Sequence, residues 1–251
     1  MQRSRGRRFG VNFTVRVSEA DRARLEAVQA ASGAGPRALG PWLVWSALAR
    51  SSAVDEAVPG RGEVLALPGL DRHCHAGEAL PEPSRRVILD LCGGSGAWSR
   101  PYAAAGYDVR LVTLPDHDVR EYRPPAGVWG VLAAPPCTEF SVAKTVGERD
   151  LLGALEIVCA CLRVVAEARP RWWALENPGS GLLRRWLGIP RDVWQPCDFG
   201  DPHTKLTAIW GDFAVPRRRH VAPTSGMVGR NAAERAVTPP GFAAAFFAAN
   251  P

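Results

Sequence analysis

From residue 85 onward the chain alternates short, unbroken apolar runs with stretches of helical periodicity, and this alternation constrains its fold more than any other feature. RRVILDL (85–91), YDVRLVTL (107–114), GVWGVLAA (127–134) and RWWALEN (171–177) are the runs, each closed by proline or a glycine turn. LLGALEIVCACLRVVAEA (151–168) is an amphipathic helix ended by Arg169-Pro170. Strands buried on both faces read as continuous apolar runs, and parallel neighbours need helical crossovers between them. The expected class is therefore α/β, with a doubly wound, mostly parallel sheet over residues 85–251.

The upstream sequence follows another rule. Val11, Phe13, Val15 and Val17 alternate with Asn12, Thr14 and Arg16, the period of a strand with one buried face. Ser18 and Asp21 open a helix to about Ser32, Gly33-Ala34-Gly35-Pro36 breaks it, and a second helical stretch runs to about Arg50. Residues 1–50 thus read as a small strand-helix-helix module, and the Pro- and Gly-rich residues 51–84 as a linker.

Composition bounds the function only loosely. The formal net charge is +6, with basic clusters at Arg3–Arg8 and Arg217–Arg219, which suits a polyanionic partner. No run of 18 apolar residues and no signal-peptide core appear, so a soluble, cytoplasmic protein with no membrane contact is expected. Six cysteines form no CxxC pair, so no metal site is expected.

Three segments carry chemistry. DLCGGSGAW (90–98) ends the first run in a glycine turn that lets a ligand approach the main chain. It lacks the lysine of an ATP-binding P-loop. AAPPCTEFS (133–141) places Cys137 after two prolines at the end of a strand, where ligands bind in open α/β sheets. Cys92, Cys159, Cys161 and Cys197 lack that setting and read as packing residues. ALENP (174–178) ends another strand with an acid and an amide. Glu176 alone is equally compatible with a helix N-terminus or a surface acid.

Together, in this order, the three segments resemble those of the DNA cytosine-5 methyltransferases over residues 86 to about 213, with Pro135-Pro136-Cys137, Phe140-Ser141 and Glu176-Asn177 as the sharpest matches. The resemblance implies S-adenosyl-L-methionine as cofactor, DNA as partner, and Cys137, Glu176 and Asn177 as catalytic residues. It implies that Asp90, Leu91, Cys92, Gly93, Gly94 and Gly96 hold the cofactor's amino-acid end. Thr113, Asp118, Val119 and Pro135 would line the rest of its pocket, with Trp98 as the nearest aromatic. Cys92 stands where the family usually has Phe, and Thr113 where it usually has an acid. FGDPHTKLTAIWG (199–211) lies where the family has an arginine-rich strand motif, so Lys205 and Thr207 are expected at the DNA.

The segment before VTPPGFAAAFFAAN (237–250) is too short for the family's target-recognition domain. In this the chain resembles compact methylase-like proteins of phages and actinobacteria. The N-terminal module resembles ribbon-helix-helix DNA-binding proteins, which implies a homodimer with Asn12, Thr14 and Arg16 toward the bases. Gly40-Pro41 departs from that pattern, and a plain structural cap stays open for this segment. The same chemistry on a cytosine nucleotide or RNA, or a catalytically silent DNA-binding regulator, also stays open.

Overall fold

The computed structural model describes residues 82–224, 226 and 232–251. The strand, the two helices and the dimer expected from residues 1–50, and nearly all of the linker, lie outside the described residues.

Six strands form one sheet: β1 (Val87–Leu91), β2 (Asp108–Val112), β3 (Val128–Ala133), β4 (Trp172–Pro178), β5 (Asp192–Trp194) and β6 (Thr207–Asp212). Their order across the sheet is β2-β1-β3-β4-β6-β5. The first four are parallel, β6 runs antiparallel to β4, and β5 antiparallel to β6. The helices are α1 (Arg100–Ala104), α2 (Leu151–Ala168), α3 (Arg184–Leu187), α4 (Ala232–Ala236) and α5 (Pro240–Ala249). This is the doubly wound, mostly parallel α/β architecture that the apolar runs imply. Among the described residues no helix is long and apolar enough to cross a membrane.

Both faces of the sheet are covered, which is why its strands carry so few polar residues. Alternate residues of β1, β3 and β4 (Leu89 and Leu91, Val131 and Ala133, Trp173 and Leu175) meet one core that includes Leu155, Val158, Cys161, Leu162 and Val165 of α2. The i, i+3, i+4 spacing of these α2 residues keeps them on one helical face. Asp150 caps the helix by accepting from the Gly153 amide at 2.8 Å, and Arg169 ends it in a left-handed turn.

The other residues of the same strands (Ile88, Leu132, Trp172 and Ala174) face an aromatic layer under α1 and α5. Phe242 stacks on Trp194 at 3.8 Å, and Phe246 lies 5.4 Å from Trp98 and 5.7 Å from Trp172. Asn250, just past α5, accepts from the Ala214 amide and donates to the Ala214 carbonyl, and its own carbonyl accepts from the Tyr102 hydroxyl.

After β1 the chain turns to one side to make β2, and later to the other to make β3. In open sheets the crevice at the carboxyl ends of such diverging strands is where ligands bind.

Candidate functional site

The glycine turn sits at the carboxyl end of β1. Asp90 is fully buried there; its Oδ2 accepts from the Ser99 hydroxyl at 2.6 Å, and its Oδ1 is buried with no partner. Burial pushes this carboxyl up from 3.8 to about 6, against the lowering effect of Ser99. The turn closes on it so tightly that a Cβ at Gly93 would lie 2.3 Å from the carboxyl group. Gly94 and Gly96 take positive φ values of 55° and 66°, open to glycine at little cost. Leu91 contributes main chain only: its side chain is buried in the core, while its carbonyl accepts from Ala134 at 2.9 Å and ties the ends of β1 and β3 together. Cys92 adopts a φ of 56°, and its thiol hydrogen-bonds with that of Cys161, which holds it below the ordinary thiol value.

Trp98 does not join this site. It is 2% exposed and lies in the aromatic layer against Phe242 and Phe246. Its indole packs under α5 in that layer, so proximity in sequence to the glycines is no guide to where the ring goes.

At the end of β2, the carbonyl of half-buried Thr113 accepts from the His117 amide at 2.9 Å. Asp118 is held below the usual carboxylate range by hydrogen bonds from Arg120. Val119 is buried. The stretch is fixed by Arg163 of α2, whose guanidinium donates to the carbonyls of Val119 at 3.0 Å and Tyr122 at 2.9 Å.

The third component gathers at the ends of β3 and β4. Pro135 is buried, and its carbonyl accepts from Asn177 Nδ2 at 3.1 Å, so Asn177 locks the proline turn to β4. The carbonyl of Cys137 accepts from the amides of Phe140 and Ser141 at 3.0 and 2.8 Å, which fixes the backbone beneath a half-buried thiol. Burial raises that thiol and the charge of Glu176 raises it further, while Lys205 and Arg235 pull it back. Glu176 is itself raised by burial, with Lys205 opposing, and its Oε2 is buried with no partner. Cys137, Glu176 and Lys205 therefore share one electrostatic environment. It pairs a thiol with a carboxyl whose protonated form burial favours.

Lys205 Nζ donates to the Arg235 carbonyl at 2.8 Å, so α4 leans on the same site. Thr207, expected at the DNA, is 1% exposed, and its hydroxyl donates to the Lys205 carbonyl at 3.0 Å. It shapes the turn that presents Lys205.

Arg149, Arg163 and Arg235 all support this region and were not singled out from the sequence. Arg163 reaches carbonyls more than forty residues away, Arg149 bonds carbonyls five to ten residues back along its own loop, and Arg235 offers its carbonyl to Lys205 and its charge to Cys137; main-chain acceptors leave no side-chain pattern to read. Elsewhere, Cys197, Asp198 and His220 bring atoms of metal-ligand type within 4.8 Å of one another. Asp198 there is engaged by the Gln195 amide and by Arg218.

No family model matches the sequence, and no curated protein matches it. Among solved structures, the chain is similar to an E. coli protein described as a candidate DNA modification methyltransferase encoded within a prophage. The similarity has a TM-score of 0.39 and 17% identity, covers 56% of this chain, and spans about half (53%) of that one.

Proposed function

We propose that the protein transfers a methyl group from S-adenosyl-L-methionine to carbon 5 of cytosine in DNA. One observation carries the reading: the thiol of Cys137 stands on a proline-pinned turn beside Glu176, a carboxyl raised by burial and with an oxygen free of partners. That is the pair such chemistry needs. Carbon 5 of cytosine is a poor nucleophile until a thiolate adds to carbon 6. The Cys137 sulfur forms that bond, and Glu176 places a proton or hydrogen bond on ring nitrogen 3, where negative charge would otherwise collect. Carbon 5 is then enamine-like and takes the methyl group. A base removes the carbon 5 proton, the electron pair returns to the ring, and the bond to Cys137 breaks. Asn177 acts through Pro135 and keeps the nucleophile's turn in place.

The glycine turn fits the cofactor's amino-acid end. The partnerless Oδ1 of Asp90 suits an ammonium group, and the lack of a side chain at Gly93, where a Cβ would collide with the Asp90 carboxyl, lets the turn fold closely over that acid. Thr113, Asp118 and Val119, at the end of β2, stand at the adenosine side. When bound, the cofactor supplies an electrophilic methyl group.

DNA as substrate is favoured by the motif resemblance and the net charge of +6. Only residues 213–239 separate β6 from α5, too few for a separate reading domain, so sequence recognition is minimal or comes from residues 1–50 or from a partner. Within residues 1–50, Asn12, Thr14 and Arg16 would meet base edges from a homodimeric ribbon. Sedimentation of the full-length protein checks the dimer, and a monomer removes the ribbon.

The decisive experiment incubates the protein and labelled S-adenosyl-L-methionine with duplex DNA, single-stranded DNA, RNA or cytosine nucleotides, then resolves the nucleosides by mass spectrometry. Label in 5-methyldeoxycytidine is the expected result. Label in ribonucleosides or free nucleotides alone changes the substrate, and no label in any arm overturns the reading.

A further inference from the structure

At the β5 edge of the sheet, the turn that follows β5 and the chain that follows β6 run side by side. The Arg219 amide donates to the Asp198 carbonyl at 2.7 Å, and the Val221 amide to the Cys197 carbonyl at 2.8 Å. Phe199 and Arg219 pair as an isolated parallel bridge. This pairing brings Cys197 Sγ, an Asp198 oxygen and a His220 ring nitrogen within 4.8 Å of one another. No local spacing announces the cluster, because Asp198 and His220 stand 22 residues apart and meet only in the folded chain.

The three groups are presented in ways that suit a cation. Cys197 is 2% exposed and offers an interior sulfur. The two oxygens of Asp198 have different partners. Oδ2 accepts from the Gln195 amide at 2.9 Å and from Arg218 at 3.4 Å, which fixes the carboxylate. Among the described residues Oδ1 meets only the His220 ring, with Nδ1 at 3.4 Å, too long for a strong hydrogen bond. Arg218 is taken up chiefly elsewhere, by Asp192 at 2.6 Å and the Val193 carbonyl at 2.8 Å. His220 is exposed, so its ring is free to turn. An ion pair alone would account for Asp198 and His220, yet it gives the buried thiol no part.

We propose that Cys197, Asp198 and His220 hold one divalent ion of the zinc type, with water in the fourth position. Thiolate and imidazole select such an ion over magnesium or calcium, which prefer oxygen ligands. The Cys197 thiol releases its proton to solvent as the ion binds. Thiolate and carboxylate together then balance the ion's two charges, which the site needs with Arg217, Arg218 and Arg219 alongside. Tetrahedral zinc, with bonds of about 2.0–2.3 Å, sets its ligands roughly 3.3–3.8 Å apart, so the exposed His220 ring closes on the other two by up to about an ångström. The bound ion clamps the chain after β6 onto the turn after β5. That turn also anchors α5, where Asp201 accepts from the Gly241 amide at 3.1 Å. It leads on to Lys205 as well, through the bond of the Cys197 amide to the His203 carbonyl at 3.0 Å.

The test is metal binding by the full-length protein, stripped with chelator under reducing conditions and titrated with cobalt(II), then zinc. One equivalent of cobalt should bind with the near-ultraviolet band of a thiolate–cobalt bond and the strong visible bands of a tetrahedral site, and zinc should displace it. Cys137→Ser should keep these bands, which separates the cluster from the reactive thiol. Cys197→Ser should lose the thiolate band. His220→Ala, at an exposed position, should fold as the wild type does and decides the matter should Cys197→Ser not fold. It should weaken zinc binding by at least the about 10–100-fold that removing a ligand's supporting partner costs. Zinc should raise the melting temperature of the wild type, because the ion binds only the folded chain, and raise that of His220→Ala less at the same concentration. Cobalt bound without a thiolate band, or no metal bound at micromolar concentration, overturns the site. So does a zinc affinity in His220→Ala within about twofold of wild type, which would leave His220 and Asp198 as a plain ion pair.

Discussion

Beneath α5 the sheet is packed ring on ring, by Trp98, Tyr102, Trp172, Trp194, Phe242 and Phe246. A few residues further along the same strands, Asp90 and Asn177 are just as buried, and the Glu176 carboxyl beside them holds a fully enclosed oxygen. In β4, Trp172 and Ala174 feed the aromatic layer and Glu176 continues the same face into the site; in β1, Ile88 packs and Asp90 follows. A strand repeats its face every second residue, so one face serves as core at its base and as chemistry at its edge. Both regions hold buried polar atoms without partners, but of different kinds. Those of the layer are neutral indole N–H groups of Trp98, Trp172 and Trp194, whereas those of the edge are oxygens of Asp90, Glu176 and Asn177. Burying a neutral donor costs far less than burying an ionisable carboxyl. The edge is therefore where a proton or a cationic ligand is most strongly favoured.

The largest effect that would sharpen this contrast comes from the edge. Cys137→Ser should lower methyl transfer by more than about a thousandfold, because a serine hydroxyl is a far weaker nucleophile. Cofactor affinity by calorimetry should stay nearly intact, and activity within about tenfold of wild type would rule out the covalent route. Glu176→Gln should come next. An amide still hydrogen-bonds but yields no proton, so turnover should fall by about two to four orders of magnitude, and an unchanged single-turnover rate would move the proton elsewhere.

The layer should respond in stability instead. Phe246→Ala opens a cavity between Trp98, Trp172 and Phe213 and should cost about 3–5 kcal/mol in denaturant unfolding. The pH dependence of Cys137 alkylation in the folded fraction should not move; if it does, the two regions are not separable.

Asp90 gives the smallest and most diagnostic shift. Its raised value means that the folded chain holds this proton more tightly than the unfolded chain does. Below about 3.8 both states are protonated and the folded state carries no penalty. Between 3.8 and about 6 the ligand-free protein should lose up to about 3 kcal/mol, and the loss persists above. Asp90→Asn should remove that decline and raise the melting temperature near neutral pH while weakening cofactor binding. Unfolding curves at acid and neutral pH check the sign, and a mutant less stable than wild type at neutral pH would contradict it.

Much of this contrast was legible in the sequence. β1, β3 and β4 announced themselves as apolar runs, α2 by its period, and the edge by Pro135-Pro136-Cys137 and Glu176-Asn177. The three-residue β5 was too short to carry a period. Trp98 looked like a cofactor neighbour because it follows the glycines, yet three-dimensional packing under α5 claimed it. Thr207 was expected at the DNA because 199–211 stands in place of the arginine-rich strand motif, but β6 buries it. The arginine braces were invisible for a different reason: Arg163 reaches carbonyls more than forty residues away, and a main-chain acceptor has no sequence signature.

The aromatic layer also sets an order of events during synthesis. Trp98, in the glycine turn, rests on Phe242 and Phe246, and Tyr102 just after it bonds to Asn250, 148 residues on. Contacts at such separation form only once both partners have left the ribosome, and they are entropically expensive to close early. The glycine turn, though translated early, is thus among the last parts of the sheet to gain its backing. A nascent chain halted before α5 should bind cofactor poorly even with every glycine and Asp90 already made.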